Sequence, residues 1–417
     1  MPVPTALSLR GGKTLSGTVD IQGAKNSALP IICLAGSLGL KVIMTNAPRI
    51  SDISILMEIL QAKGCLWLWD EDLVLDTSNM VDGIIDDERF RQIRMALPLA
   101  IGLAVRFGRS RTPVPQGDPI GERPLTNISM VCRAFGLDLK INEGWLEIDA
   151  GQARAADCQL PWPTHTASHA AIILATMIPG RSKLQRLSID PEVQIIFSAL
   201  SDLSVPCEGR GQCMEINGGA WNQNLRHHVM PDRVELATLC CAVQASGGRA
   251  VFRHAWYEQF DQEKHYLEAF GCKFERQDDS VSLNSQPLCP MDVRAGLFPE
   301  MFVDWVPMVT AVLLRASGRS RIDDIMYTER THHLSVLREM GADLQWHGHA
   351  IEIHGVPVLG PTNARVPDIR GLAAVIIAAL TVDGQSTLHD LSPLYRGYAD
   401  LPGKLASLGA DINLIFR

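Results

Sequence analysis

The chain has 417 residues, with 38 Lys and Arg against 46 Asp and Glu, a formal net charge of −8. That balance excludes polymeric nucleic acid and an anionic membrane surface as main partners, because both select a basic footprint. The composition, 46% hydrophobic and 20% charged, is that of a globular protein long enough for two or more domains, and its longest apolar runs, Ala170 to Ile178 and Leu372 to Thr381, fall short of the roughly 20 residues of a membrane span.

In chain order, the first expected element is a strand over TALSLRG, preceded by nothing that reads as a secretory signal. The ten cysteines show no C-x-x-C pair and read as reduced thiols of a cytoplasmic protein. From Lys25 an apolar helix runs to Gly39, followed by a short strand, a second helix ending at Gly64 and the hairpin LWLWDEDLVLDT. This βαβαββ pattern then recurs. The glycines that close the first helices are Gly39, Gly108, Gly180, Gly247, Gly318 and Gly384, spaced 69, 72, 67, 71 and 66 residues apart. Gly64, Gly136, Gly271, Gly341 and Gly409 close second helices, whereas the third repeat reads SDLS at that point. A fixed period of this kind marks repeated supersecondary units. The sixth unit ends one strand short, and the N-terminal strand is the spare that completes it. The expected domains are therefore 22–231, carrying a loop at 112–123, and 1–21 plus 232–417, with a ligand cleft between them.

Fourteen residues before each first glycine stand Lys25, Arg94, Thr166, Arg233, Asp304 and Arg370, each at the start of an apolar helix. A helix start attracts anions, and a cation there opposes the helix dipole by about 0.3 to 1 kcal/mol. Four such cations at one register point to an anionic ligand, although Arg233 is also placed to pair with Asp232 or Glu235. Further cations lie in loops: Arg123 in QGDPIGERPL, Arg330 in MYTERTHH and Arg396 in LYRGYAD. Together with one carboxylate, Asp304, the set fits a multiply anionic substrate pair and one deprotonation. No metal or cofactor is expected, since neither a P-loop nor an acidic metal cluster is present. The pairs His165/His169 and His332/His333 read as core or surface histidines, with no third ligand near either in the sequence.

The six units, with QGAKN, IGERP, PDRVE, PDIRG and RGYAD in order, resemble the enolpyruvyl transferases along the whole chain, and within that family the branch acting on UDP-N-acetylglucosamine. The resemblance implies a two-domain inside-out α/β fold of the EPSP synthase type. It implies addition and elimination on phosphoenolpyruvate, with phosphate released as the enolpyruvyl group passes to the 3-hydroxyl of the nucleotide sugar, in cell-wall synthesis. Asp304 matches the base that takes the hydroxyl proton. Lys25, Asn26, Arg123, Arg330, Arg370 and Arg396 match the residues that bind phosphoenolpyruvate. Arg94, Arg123, Pro124, Leu125, Trp162, Thr164, Thr166, Asp304 and Met326 match those that bind the nucleotide.

Two departures bear on function. Asp118 stands where the family usually has a reactive cysteine, which implies proton delivery by a carboxylic acid and insensitivity to the thiol-directed epoxide fosfomycin. The alternative is that Asp118 is a solvated loop residue. Unit three opens on Trp162-Pro163-Thr164-His165-Thr166 and lacks the family's lysine, and Thr126 replaces a uracil-binding aspartate. This fits an acceptor with one phosphate fewer, the 3′-hydroxyl of uridine monophosphate, as used in nucleoside-antibiotic pathways. A non-catalytic paralogue that keeps only ligand binding is the third reading.

Overall fold

The computed structural model describes residues 4–221 and 224–416. Met1 to Val3, Asn222, Gln223 and Arg417 lie outside the described residues. The chain divides into two compact units: unit one comprises Met1–Gln22, Asp118–Glu122 and Pro231–Arg417, and unit two comprises Gly23–Gly117 and Arg123–Met230.

Each unit is built on three apolar helices. In unit two these are α1 (Lys25–Leu38), α2 (Leu97–Phe107) and α3 (His165–Met177); in unit one they are α4 (Arg233–Ala245), α5 (Val306–Leu313) and α6 (Ile369–Leu380). Within each unit the three helices pack against one another. Every residue of α6 and the whole stretch Ser27–Ser37 of α1 is buried, which explains why these helices read as apolar all round rather than striped. Small residues let α1 and α2 approach closely: a Cβ on Gly102 would stand 1.9 Å from Ser37 Oγ.

The sheets lie outside the helices, the inside-out α/β arrangement that the resemblance implies. Each is open and takes one hairpin and the strand that follows one first helix. The N-terminal strand Ala6–Arg10 pairs antiparallel with both Gln385–His389 and Asp411–Ile415, filling the sixth unit's gap. Two connecting strands are exchanged between repeats. Ser16–Asp20, which precedes the first repeat, pairs with Arg249–Arg253 of the fourth, and Leu225–His228, which precedes the fourth, pairs with Lys41–Thr45 of the first. This exchange lets the chain enter unit two and return while each unit keeps three complete sheets.

All the marker glycines have positive φ, from 65° at Gly247 to 153° at Gly384. In the third repeat Ser204 takes the left-handed conformation instead, with φ 57°, so the turn is kept despite the missing glycine and bears the steric cost of a Cβ. All ten cysteines are free, seven of them buried and Cys213 and Cys289 exposed. Among the described residues no helix is long and apolar enough to cross a membrane.

Candidate active site

In unit one, a single 3₁₀ turn, Val303–Trp305, sets Asp304 ahead of α5. Arg330 Nη2 donates to Asp304 Oδ1 at 2.9 Å and Arg370 Nε to Oδ2 at 3.4 Å. Both arginine side chains are almost fully buried, at 3% and 5% exposure, while Asp304 keeps 17%. Burial pushes the Asp304 carboxyl up, but the two guanidiniums outweigh it and hold the group well below the usual carboxylate range. Arg330 also donates to the Val303 carbonyl, and its buried Nε has no hydrogen-bond partner among the described residues. A buried donor of this kind is costly to leave unmade. Arg370 stands 5.1 Å from the ring of Tyr398, whose hydroxyl burial pushes up to about 12. Beside them Asp368 caps α6, accepting from the Gly371 N–H, and burial raises its carboxyl above the ordinary range against the pull of Arg330.

Asp118 belongs to this same cluster. Its carboxylate pairs with Arg396 Nη1 and accepts the Ile369 N–H at the start of α6 at 3.3 Å. The Asp118 and Arg396 side chains are only 12% and 13% exposed. The solvated-loop alternative for Asp118 is therefore overturned, since a cation and a helix start together draw the carboxylate in.

Unit two presents Lys25 at the first position of α1, its Nζ 2.6 Å from Asp52 Oδ2, with Asn26 beside it in the first turn. Lys25 keeps 12% exposure and Asp52 keeps 1%. Arg94 and Arg123 brace the loop: Arg94 donates to the carbonyls of Pro115 and Arg123, both at 3.0 Å, and Arg123 donates to that of Gln116. Glycine suits position 117, where they converge, because φ is 78° and a Cβ there would stand 2.8 Å from Arg94 Cβ. Pro124 and Leu125 lead into the helix Thr126–Ala134, where Asn127 Nδ2 donates to the Trp162 carbonyl at 3.0 Å. That bond joins the two segments expected to bind the nucleotide. Trp162 is 46% exposed, Thr164 caps α3 by accepting the Ala167 N–H, and the Thr166 hydroxyl lies 3.8 Å from Met95 Sδ. Met326 is in unit one, its N–H given to Asp324.

One rule connects these partners. In three of the six repeats the residue at the register position pairs with the beginning of the second helix in its own repeat: Lys25 with Asp52, Arg233 with Glu263 and Asp304 with Arg330, separations of 27, 30 and 26 residues. Arg233 thus pairs with Glu263, and its guanidinium stacks 3.7 Å from the Phe302 ring centroid, fully buried. Asp52, Glu263 and Asp368 are absent from the expected site; complementary charge at this recurring separation is the sequence signal for the first two.

The sequence matches the family EPSP synthase (3-phosphoshikimate 1-carboxyvinyltransferase) over residues 9–405. The UDP-N-acetylglucosamine 1-carboxyvinyltransferase of Campylobacter fetus is 30% identical over 413 residues, spanning 98% of each chain. That of Campylobacter lari is 29% identical over 414 residues, spanning 98% of this chain and 99% of its own. Among solved structures, the enolpyruvyl transferase NikO from Streptomyces tendae has a TM-score of 0.88 over 100% of both chains at 24% identity. An EPSP synthase from Acinetobacter baumannii has a TM-score of 0.71 over 98% of this chain and 100% of its own at 13% identity.

Proposed function

The chain belongs to the EPSP synthase family of enolpyruvyl transferases, and on that premise we propose that it transfers the enolpyruvyl group of phosphoenolpyruvate to a hydroxyl of a uridine nucleotide. The observation that carries this reading is Asp304, a partly exposed carboxylate set between Arg330 and Arg370 at the start of an apolar helix.

The reaction balances as addition then elimination. The acceptor oxygen adds to C2 of phosphoenolpyruvate, its proton passing to Asp304, while Asp118 delivers a proton to C3. In the second half the C2–O bond to phosphate breaks, C3 returns a proton to the Asp118 carboxylate, and inorganic phosphate leaves with the proton that Asp304 took up. Arg330, Arg370 and Arg396 of unit one hold the substrate's carboxylate and phosphate, a role that the family resemblance also gives to Lys25, Asn26 and Arg123, and fixed cations stabilise the charge that shifts onto the departing phosphate. Alone, Asp304 is a weak base, because two arginines favour its charged form. Phosphoenolpyruvate brings new anions to the same guanidiniums and loosens that hold, so the base strengthens when its substrate is present. Asp118 must first leave Arg396 to act as the acid.

For the acceptor, we assign UDP-N-acetylglucosamine through its 3-hydroxyl, since the relatives above carry that name. Uridine monophosphate through its 3′-hydroxyl is the second reading, favoured by the missing lysine between Trp162 and Thr166. Phosphate release, measured with phosphoenolpyruvate and each acceptor in turn, separates the two. Release with neither, while both still bind, would favour a non-catalytic paralogue.

A further inference from the structure

We propose that Gln22 is a positioning residue whose carboxamide fixes the backbone of residues 397–399 and thereby sets Arg370 and Arg396 for the anions of phosphoenolpyruvate, a reading that rests on the enolpyruvyl transfer above. Gln22 opens the motif QGAKN and closes the first stretch of unit one. Its Nε2 donates to the Gly397 carbonyl at 2.9 Å, and its Oε1 accepts the Ala399 N–H at 2.8 Å. One side chain therefore binds the backbone on both sides of Tyr398, as a neighbouring strand would.

The carboxamide can hold that segment because Gln22 is itself held at the start of α4. Its N–H donates to the buried Glu235 Oε2 at 2.7 Å, its carbonyl accepts the Asp232 N–H at 2.8 Å, and Nε2 makes a second bond of 3.3 Å to Asp232 Oδ2. Asp232 caps α4 through the N–H groups of Val234 and Glu235, and Glu235 pairs with Lys404 at 2.7 Å. A glutamate at position 22 would lose the donor to Gly397 and face two buried carboxylates, while a lysine would lose the acceptor for Ala399. A carboxamide supplies both functions without charge.

The clamped segment lies directly against the substrate-binding arginines of unit one. A Cβ on Gly397 would stand 2.7 Å from Ile369 Cγ2 and 3.1 Å from Arg370 Nη1. That Nη1 is buried and has no hydrogen-bond partner among the described residues, so the Gly397 backbone decides where this donor rests. Tyr398 bounds the guanidinium on another side. Thr238 gives its hydroxyl hydrogen to the Val234 carbonyl, so the Tyr398 hydroxyl donates to Thr238 Oγ1 at 2.7 Å and keeps its lone pairs for Arg370, which bonds it. Arg396, the residue before Gly397, pairs with Asp118. Release of residues 397–399 would therefore shift both guanidiniums together, and a misplacement of about 1 Å is enough to slow a reaction that depends on positioned groups.

The test is steady-state kinetics with phosphoenolpyruvate varied, using UDP-N-acetylglucosamine or uridine monophosphate, whichever supports phosphate release, and calorimetry of that acceptor alone. Gln22→Met removes both bonds at nearly constant length; it should lower kcat/KM for phosphoenolpyruvate about tenfold or more and leave the acceptor's Kd within about twofold. Gln22→Glu, which keeps the acceptor and loses the donor, should show the same selective loss. Because Gln22 acts through Arg370, the loss from Gln22→Met should be at least about threefold smaller in an Arg370→Gln background, whereas general destabilisation would add in full. Wild-type kinetics, a matching loss of acceptor affinity, or full additivity with Arg370→Gln overturns the role of Gln22 alone. No phosphate release by wild type with either acceptor overturns the transfer reading and this inference with it.

Discussion

Arg233 and Asp304 occupy the same register in successive repeats of one unit, and each pairs with a residue from its own second helix region, yet the fold uses them differently. Arg233 is sealed: fully buried, bonded to Glu263 and stacked on Phe302. Asp304 keeps 17% exposure, and its partner Arg330 has a buried donor still unmatched among the described residues. The difference teaches that one repeated position supplies either a sealed ion pair or a reachable one, and on the proposed function the reachable one is the pair that reacts.

Breaking the reactive side should have the largest effect. Asp304→Asn should lower kcat by about 10²- to 10⁴-fold, the usual range for a positioned base. A variant within tenfold of wild type would remove Asp304 from the chemistry. Next, Arg370→Gln should cost about 10²- to 10³-fold in kcat/KM for phosphoenolpyruvate, if its charge acts mainly on the transition state. On the sealed side, Arg233→Gln should lower unfolding free energy by about 3 to 5 kcal/mol in denaturant titration, because Glu263 then loses its buried counter-charge. Loss of turnover with unchanged stability would contradict the contrast between the two positions.

The loop sharpens the comparison through chemistry. With Asp118 in place of a thiol, wild type should show no time-dependent inactivation by fosfomycin, whereas Asp118→Cys should acquire it; covalent inactivation of wild type would refute this.

The smallest effect concerns acid stability. His169 and His333 are buried and lowered to about 3, below an unfolded value near 6.5. The unfolded state therefore binds more protons between those values, and stability should fall as pH drops below about 6.5, by up to about 1.4 kcal/mol per pH unit for each histidine. His169→Gln should flatten that slope when chemical unfolding is repeated across pH 4 to 7.

Much of the fold is legible in the sequence because glycine spacing and all-round apolar helices are local signals. The third repeat shows the limit of such signals: Ser204 carries a left-handed turn without glycine. The register locates Lys25, Asp304 and Arg370 at helix starts for the same reason. The partners at this register are harder to read, since Asp52, Glu263 and Arg330 come from segments about one helix and strand away, and only packing decides which acid faces which base. Arg94 and Arg123 illustrate this too, as their guanidiniums brace loop carbonyls that no spacing rule indicates.

The most direct test of the central claim is to run the reaction in D₂O with phosphoenolpyruvate and each acceptor, and to examine the product's methylene by mass spectrometry and NMR. Addition followed by elimination passes through a C3 methyl group, so deuterium should appear in the enolpyruvyl methylene as phosphate is released. Phosphate release with a fully protonated methylene would contradict the account.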